Sequence, residues 1–155
     1  RMKGFTREDF VFLHPGGVLG RTALLRVLDL MHRGDALPRV RTDATLHEAL
    51  LEILKKRLGM TTVVDDAGLL TGILTDGDLK RILLQGAGAL DRPVSQVMST
   101  TPRVIEADAL VAQAVRRMEE NEGGAITSLV IVDARGKPEG VIHLHDCLGG
   151  GGRSS

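Results

Sequence analysis

The sequence predicts a small α/β protein made of two pseudo-symmetric repeats, each with the order strand, helix, strand, strand, helix. Three observations support this prediction: residues that recur at a nearly constant spacing, apolar residues at helical spacing, and short apolar runs bounded by turns. The first repeat extends over about residues 27–84 and the second over about 94–148. Since one repeat is too small to bury its own sheet, we expect two small mixed sheets packed together with the helices outside.

The first repeat is expected to begin with a strand at 40–42. A helix follows, because apolar residues recur at i, i+3, i+4 and i+7 over 46–58. Thr45 and Glu48 have the spacing of a capping box at its start, and Gly59 is expected to end it. The remaining elements are a strand at 61–64, a turn at 66–68, a strand at 72–75 and a helix at 78–84.

The second repeat shows the same order of elements at a spacing of 64 to 68 residues. The matched pairs include Met31 with Met98, Val40 with Val104, Leu46 with Leu110, Gly72 with Gly140, and Asp78 with Asp146. The spacing changes only where loops are expected, as in diverged repeats. The predicted elements are a strand at 104–105, a helix at 110–118, a strand at 126–132, a turn at 134–136 and a strand at 140–144.

Composition argues against several functional classes. Acidic and basic residues are equal at 20 each, so no overall field attracts nucleic acid or an acidic membrane. All three aromatic residues lie before residue 13, which leaves no rings elsewhere to stack on bases. No apolar run approaches the roughly 18 residues that cross a membrane. The lone Cys147 cannot form an internal disulfide, so we expect a cytoplasmic location and a structural cysteine.

A glycine, a strand and an acidic residue recur at the end of each repeat, at 72–78 and at 140–146. A strand delivers Thr75 to a helix start, where backbone N–H groups and the helix dipole favour a phosphate. Asp78 can accept hydrogen bonds from ribose hydroxyls, or it can simply cap the helix. His143 stands where the first repeat has Thr75, next to His145 and Asp146. A metal site needs three or four converging ligands, and these three side chains could contribute to one if His32 or His47 joined them. We favour histidines in or near a ligand cleft and expect no metal.

These two segments resemble CBS repeats, a family whose tandem pairs bind nucleotides. The resemblance implies a cleft between the repeats in which Thr75 and Asp78 contact the ligand, and it makes the second cleft non-equivalent because of His143. The residues expected to bind ligand are Thr42, Thr61, Thr62, Thr75, Asp76, Asp78, Thr127, Ser128, His143 and Asp146. Either an adenine nucleotide or a cytidylyl-activated sugar acid (CMP-Kdo) is the expected effector, and no cofactor is required.

A second resemblance lies upstream, in residues 5–10 and in the run from His14 to Arg21. These residues resemble the junction in D-arabinose 5-phosphate isomerases, where a sugar-isomerase (SIS) domain precedes a CBS pair. The resemblance implies an aldose–ketose isomerase that acts early in lipopolysaccharide Kdo synthesis. It also implies that His14 belongs to an active site whose SIS domain is absent. The expected division is an SIS remnant at 1–21, repeats at 22–90 and 91–148, and a flexible tail at 149–155.

The resemblance implies a regulatory module that tunes its own SIS domain, forms homodimers through the CBS helices and belongs to a higher oligomer in the parent enzyme. It implies no nucleic-acid or membrane partner. The alternative is an assembly module with vestigial ligand sites. Catalysis by this chain is not expected, because no nucleophile, base and orienting group can be named.

Overall fold

The computed structural model describes residue 20 and residues 22–149. The expectations for His14, for most of the upstream segment and for the tail beyond residue 149 lie outside the described residues.

Each repeat has the predicted order of elements. In the first repeat the elements are α1 Val27–Leu30, β1 Arg39–Arg41, α2 Leu46–Lys56, β2 Met60–Val64, β3 Leu70–Thr75 and α3 Asp76–Leu83. In the second they are β4 Val104–Ile105, α4 Val111–Glu119, β5 Ser128–Val132, β6 Pro138–His143 and α5 Leu144–Cys147. Single-turn 3₁₀ helices occur at Gly34–Ala36, Ala87–Asp91 and Val94–Gln96. Among these residues no helix is both long and apolar enough to cross a bilayer.

The two sheets have the same topology, which confirms the predicted fold class. Their strand orders are β1-β2-β3 and β4-β5-β6, with the first pair of strands parallel and the second pair antiparallel. β2 is buried along its whole length, and β5 is buried at its three central residues. This burial explains the apolar run of β5, whereas β2 also buries Thr61 and Thr62.

Five predicted boundaries were wrong by two residues: β3, α3 and β6 begin two residues earlier than predicted, and local hydrogen bonds explain the other two. α2 ends at Lys56 rather than before Gly59, because Arg57 takes the left-handed conformation (φ 65°) and its N–H bonds to Ile53. β5 begins at Ser128 rather than at residue 126, because the backbone N–H of Ile126 donates to the carbonyl of Met118 at 3.0 Å. In both places local hydrogen bonds overrode the apolar pattern.

Strand pairing also corrects the alignment of the repeats. Arg39 pairs with Thr62 and Val104 pairs with Val130, and Thr62 and Val130 lie 68 positions apart. Arg39 therefore corresponds to Val104, a spacing of 65, and the match of Val40 with Val104 was wrong by one residue. The same shift aligns Thr45 with Leu110, so only the first repeat has a hydroxyl cap on this helix.

The segment that leads into each repeat packs in the core of the other repeat. Ala23 and Val27 belong to the core around α4 and β5, while Ala89 and Val94 belong to the core around α2 and β3. Backbone bonds fix this exchange: Val27 donates to Ala109 and Val94 donates to Ala44, both at 2.8 Å. The boundary between residues 90 and 91 therefore does not separate two independently packed cores.

A third apolar cluster joins the two sheets face to face. Its buried members are Leu37, Met60, Val130 and Val141, with Ile73 packed beside them. Because both sheets contribute to this cluster, the face that each sheet turns toward the other is buried. A cleft lies at the edge of this cluster, where Met60, Ile73 and Val130 form part of its floor.

Candidate functional site

The cleft between the repeats has a volume of about 530 Å³ and is open to solvent on one side. This size is in the usual range for small-molecule sites. Its lining residues come from both repeats and are Leu58, Gly59, Met60, Ile73, Thr75, Asp76, Gly77, Asp78, Ser99, Thr101, Arg103, Asn121, Ala125, Ile126, Thr127, Ser128, Val130 and His143. The apolar members are aliphatic, so a planar base would lie between alkyl side chains.

Thr75 and Asp78 form a complete capping box at the start of α3. The Asp78 N–H donates to Thr75 Oγ1 at 3.2 Å, and the Thr75 N–H donates to Asp78 Oδ2 at 3.0 Å. The helix-capping interpretation of Asp78 is therefore confirmed. Because Thr75 Oγ1 accepts in this box, its own O–H is left to donate. Both side chains also line the cleft.

Asp78 has one further partner, the guanidinium of Arg81, which donates to Oδ1 at 2.6 Å. The Arg81 side chain is 67% exposed, so it can move into solvent at little cost. Neither Lys80 nor Arg81 lines the cleft, and neither is placed to hold a ligand phosphate there. The carboxylate of Asp78 can thus exchange an exposed intrahelical ion pair for a ligand hydroxyl.

Arg103 is the only arginine or lysine among the lining residues. Its Nε donates to Asn121 Oδ1 at 2.7 Å, which orients the guanidinium and leaves its two terminal amino groups for an anion. Two carboxylates, Asp76 and Asp78, line the same cleft. Only one guanidinium is available to meet phosphate charge, and the two carboxylates add negative charge, so each further phosphate of a triphosphate adds repulsion.

Sequence reasoning missed Ser99, Thr101, Arg103 and Asn121. They belong to loops without a repeated motif. The position equivalent to Arg103 in the first repeat is Pro38, because the carbonyls of Pro38 and Arg103 accept from equivalent residues of the two central strands, Thr62 and Val130. The sequence signal for Arg103 was weak: it is a basic residue that immediately precedes β4, the first strand of the second repeat.

Six of the ten residues expected to bind ligand do line the cleft: Thr75, Asp76, Asp78, Thr127, Ser128 and His143. The other four lie elsewhere, and their assignment is corrected. The Thr61 and Thr62 hydroxyls are fully buried and donate to the carbonyls of Thr62 and Pro38. Thr42 follows β1, and its N–H donates to Val64.

Asp146 is the fourth corrected residue. Its Oδ2 accepts from the backbone N–H of His143 and lies 2.9 Å from His32 Nε2. Burial acts to raise the pKa of Asp146, but the hydrogen bonds from His32 and His143 outweigh it and hold the pKa below its ordinary value. The carboxylate is therefore charged, and its Oδ2 already bonds to two groups.

His143 caps α5 and faces the cleft. Its Nδ1 accepts from the His145 N–H at 3.0 Å, so the neutral ring carries its proton on Nε2. Burial lowers the pKa of His143 below 6.5, and the nearby His145 and His32 lower it further against the opposing effect of Asp146. The ring can therefore donate one hydrogen bond to a ligand while uncharged.

This depressed pKa predicts a loss of stability in mild acid. Since the folded pKa of His143 lies below its unfolded value near 6.5, its contribution is full above pH 6.5 and is lost as the pH falls through the folded pKa. We expect the midpoint of thermal unfolding to fall less between pH 7.5 and 5.5 in His143→Thr, which retains a capping hydroxyl, than in the wild type. Equal decreases in the two proteins would contradict this origin.

Other chemistry finds little support in the described residues. They contain no group of three or more His, Cys, Asp or Glu side chains placed to hold a metal ion. Cys147 is fully buried, and burial together with Asp146 raises the pKa of its thiol to about 12. It is a small core residue rather than a nucleophile.

Comparison with known proteins agrees with the repeats and the fold. The profile of the CBS domain family matches residues 27–85 and 94–150. A CBS-domain-containing protein from Agrobacterium tumefaciens superposes with a TM-score of 0.69 at 25% identity, covering 81% of this chain and 92% of that one. A CBS domain protein from Pyrobaculum aerophilum, solved in complex with AMP, has a TM-score of 0.69 at 22% identity over 79% of this chain and 89% of that one.

Arabinose 5-phosphate isomerase KdsD from Pseudomonas aeruginosa is 47% identical over 149 residues. The match covers 96% of this chain but 45% of the isomerase, so the chain spans about half the length of the curated relatives it matches. Both predicted resemblances, to CBS repeats and to arabinose 5-phosphate isomerases, are confirmed by these matches.

Proposed function

The chain belongs to the CBS domain family, and we propose that it is a regulatory module that binds a nucleotide in the cleft between its repeats. One observation carries the proposal: a single cleft of about 530 Å³ brings together the Thr75 and Asp78 side chains, the Arg103 guanidinium and an aliphatic floor. These groups are complementary to the hydroxyls, the phosphate and the base of a nucleotide, respectively.

Each group has a definite task in this proposal. Arg103, oriented by Asn121, and the Thr75 hydroxyl donate to one phosphate. Asp78 accepts from the ribose hydroxyls after Arg81 swings into solvent. The base lies against the partly exposed side chains of Leu58, Ile73 and Ile126, which have no ring for stacking.

The charge of the cleft favours a nucleotide with one phosphate. The two candidate ligands of this proposal are AMP, with which a CBS domain protein of similar fold was solved in complex, and CMP-Kdo, an activated sugar acid with one phosphate. The parent activity in the proposal is the interconversion of ribulose 5-phosphate and arabinose 5-phosphate, on the way to Kdo and lipopolysaccharide. A ligand that prefers one arrangement of the two repeats would shift an attached catalytic domain between its states.

Isothermal titration calorimetry tests this function. AMP, CMP-Kdo, CMP and ATP would be titrated separately into the chain. We expect saturable binding of AMP or CMP-Kdo with micromolar to submillimolar affinity, and weaker binding of ATP because of the two cleft carboxylates. The absence of heat with all four at millimolar concentration would contradict nucleotide sensing.

A second candidate function is assembly, and exposed leucines favour it. On α2, Leu51 and Leu54 are 53% and 64% exposed, and Leu84, directly after α3, is 88% exposed. No comparably exposed large apolar residue lies on α4 in the described structure. We propose that a second copy covers this first-repeat face, since an antiparallel pair of α2 helices would also bring Glu48 near Lys55 of the other copy.

Sedimentation velocity tests the assembly role. We expect a dimer for the wild type and a monomer for Leu54→Glu, whereas Leu24→Glu, which changes a 77% exposed leucine on the leading segment, should remain dimeric. A monomeric wild type, or a dimeric Leu54→Glu, would contradict self-association through this face.

A further inference from the structure

We infer that the contact between His32 Nε2 and Asp146 Oδ2, at 2.9 Å, withdraws the carboxylate of the second repeat from ligand binding, so that the module takes one nucleotide per chain. This inference rests on the proposed function. It assigns Asp146 a structural role as a tie between the repeats, although its counterpart Asp78 lines the open cleft.

The equivalence of the residues follows from the fold. Asp146 ends the second capping box just as Asp78 ends the first, at a spacing of 68. His32 forms an isolated antiparallel β-bridge with Val141, and Ser99 forms one with Ile73. Ile73 and Val141 are 68 positions apart in the sequence. The counterpart of His32 at the open cleft is therefore Ser99.

The partners of the two carboxylates differ in strength. Asp78 bonds to Arg81, which is 67% exposed and on the same helix. Asp146 bonds to a ring that is 32% exposed and comes from the other repeat's leading segment. Partial burial strengthens the second pair, whereas the first pair is screened by solvent.

The backbone holds His32 in place. Its N–H donates to the Val141 carbonyl at 2.8 Å, and the Val141 N–H donates back at 3.0 Å. These bonds fix the backbone from which the ring reaches Asp146, and the ring is only 32% exposed, whereas the Arg81 side chain is 67% exposed and can leave Asp78 by rotating into solvent. The short side chain of Ser99 accepts weakly from the Thr101 N–H and forms part of the open lining.

The second cleft also lacks the groups that hold a phosphate in the first. At the positions equivalent in the fold, His143, whose ring lines the open cleft, stands in place of Thr75, and Pro38 stands in place of Arg103. The contact of His32 with Asp146 and the absence of a counterpart to the Thr75 hydroxyl and the Arg103 guanidinium therefore both predict that only the first repeat's carboxylate binds a nucleotide.

Matched substitutions at the equivalent carboxylates test the inference, with AMP as the probe. Calorimetry should give one AMP per wild-type chain. Asp78→Ala should weaken AMP binding at least tenfold, and Asp146→Ala, which loses the same kind of helix cap, should leave the affinity within threefold. Two AMP molecules per chain, or equal losses in both variants, would overturn the inference without affecting the proposed function.

A transplant and a double-mutant cycle complete the test. Ser99→His places an imidazole ring at the open cleft, in the position equivalent to His32, and should reduce AMP affinity at least tenfold.

The thermal midpoints of His32→Ser, Asp146→Ala and the double variant should be non-additive, with the double variant close to Asp146→Ala. This cycle needs no ligand, so it tests the tie even if no nucleotide binds to the wild type; additive midpoints would overturn the tie.

Discussion

Replacing Arg103 with glutamine is expected to weaken AMP binding roughly 10- to 100-fold. A hydrogen bond to a charged group contributes about 1.5–3 kcal/mol, and no second arginine or lysine lines the cleft to take over the phosphate. The glutamine retains a donor and most of the side-chain length, so the loss reports the charge. Calorimetry with AMP at two salt concentrations would measure both the affinity and its electrostatic part.

Arg135→Gln is the matched control, because it removes the same charge from an exposed turn outside the cleft. Its AMP affinity should stay within twofold of the wild type. Since the Arg103 side chain is exposed and its bond is to Asn121, in the loop after α4, both variants should unfold within about 0.5 kcal/mol of the wild type. Similar affinities for both variants would mean that Arg103 does not contact the phosphate.

The sequence was sufficient to predict the repeats and the order of their elements, because local signals specify both. Thr45 and Glu48 form the expected capping box, with bonds of 2.8 and 3.1 Å. The Asp65 side chain accepts from two N–H groups in the expected turn. Register was harder to predict, since a spacing of 64 and one of 65 preserve a similar apolar pattern, and only strand pairing decides between them.

The site was predictable on one side only. The Thr75 to Asp78 wall follows from a strand running into a capped helix, which is a local feature. The Arg103 and Asn121 wall depends on how a linker crosses between repeats, and nothing local specifies that path. Thr61 and Thr62 were misassigned for a related reason: threonine suits a cleft, but it also suits a buried strand when a backbone carbonyl accepts its hydroxyl.

The exchange of leading segments could not be predicted from the recurrence of Met31 and Met98, because the recurrence does not say which core each segment enters. In the structure Met98 packs on the core of the first repeat and Met31 on that of the second. Each repeat thus completes the other, so folding is expected to be cooperative across both repeats. The closest approach in this exchange is at Gly72, and it gives a second prediction.

Gly72→Ala is expected to destabilise the protein by about 1–3 kcal/mol, the usual cost of overpacking a core. A Cβ at this buried position would lie 2.5 Å from the Ser99 carbonyl oxygen and 2.6 Å from the sulfur of Met98. The sulfur can rotate away, but the carbonyl is fixed, because it accepts from the Ile73 N–H and the Ser99 N–H donates back. Urea denaturation at constant pH measures the effect.

Two further glycines calibrate this cost. At Gly140 a Cβ would meet the flexible sulfur of Met31 first, at 2.8 Å, and the His32 carbonyl at 3.0 Å, so Gly140→Ala should cost less than Gly72→Ala. At Gly88 nothing lies within 4 Å, so Gly88→Ala should be neutral or slightly stabilising. The predicted loss of stability therefore decreases in the order Gly72, Gly140, Gly88, because it depends on how closely a Cβ would approach the segments that lead into the repeats. An equal effect at Gly72 and Gly88 would therefore show that the linker does not pack against β3 in solution.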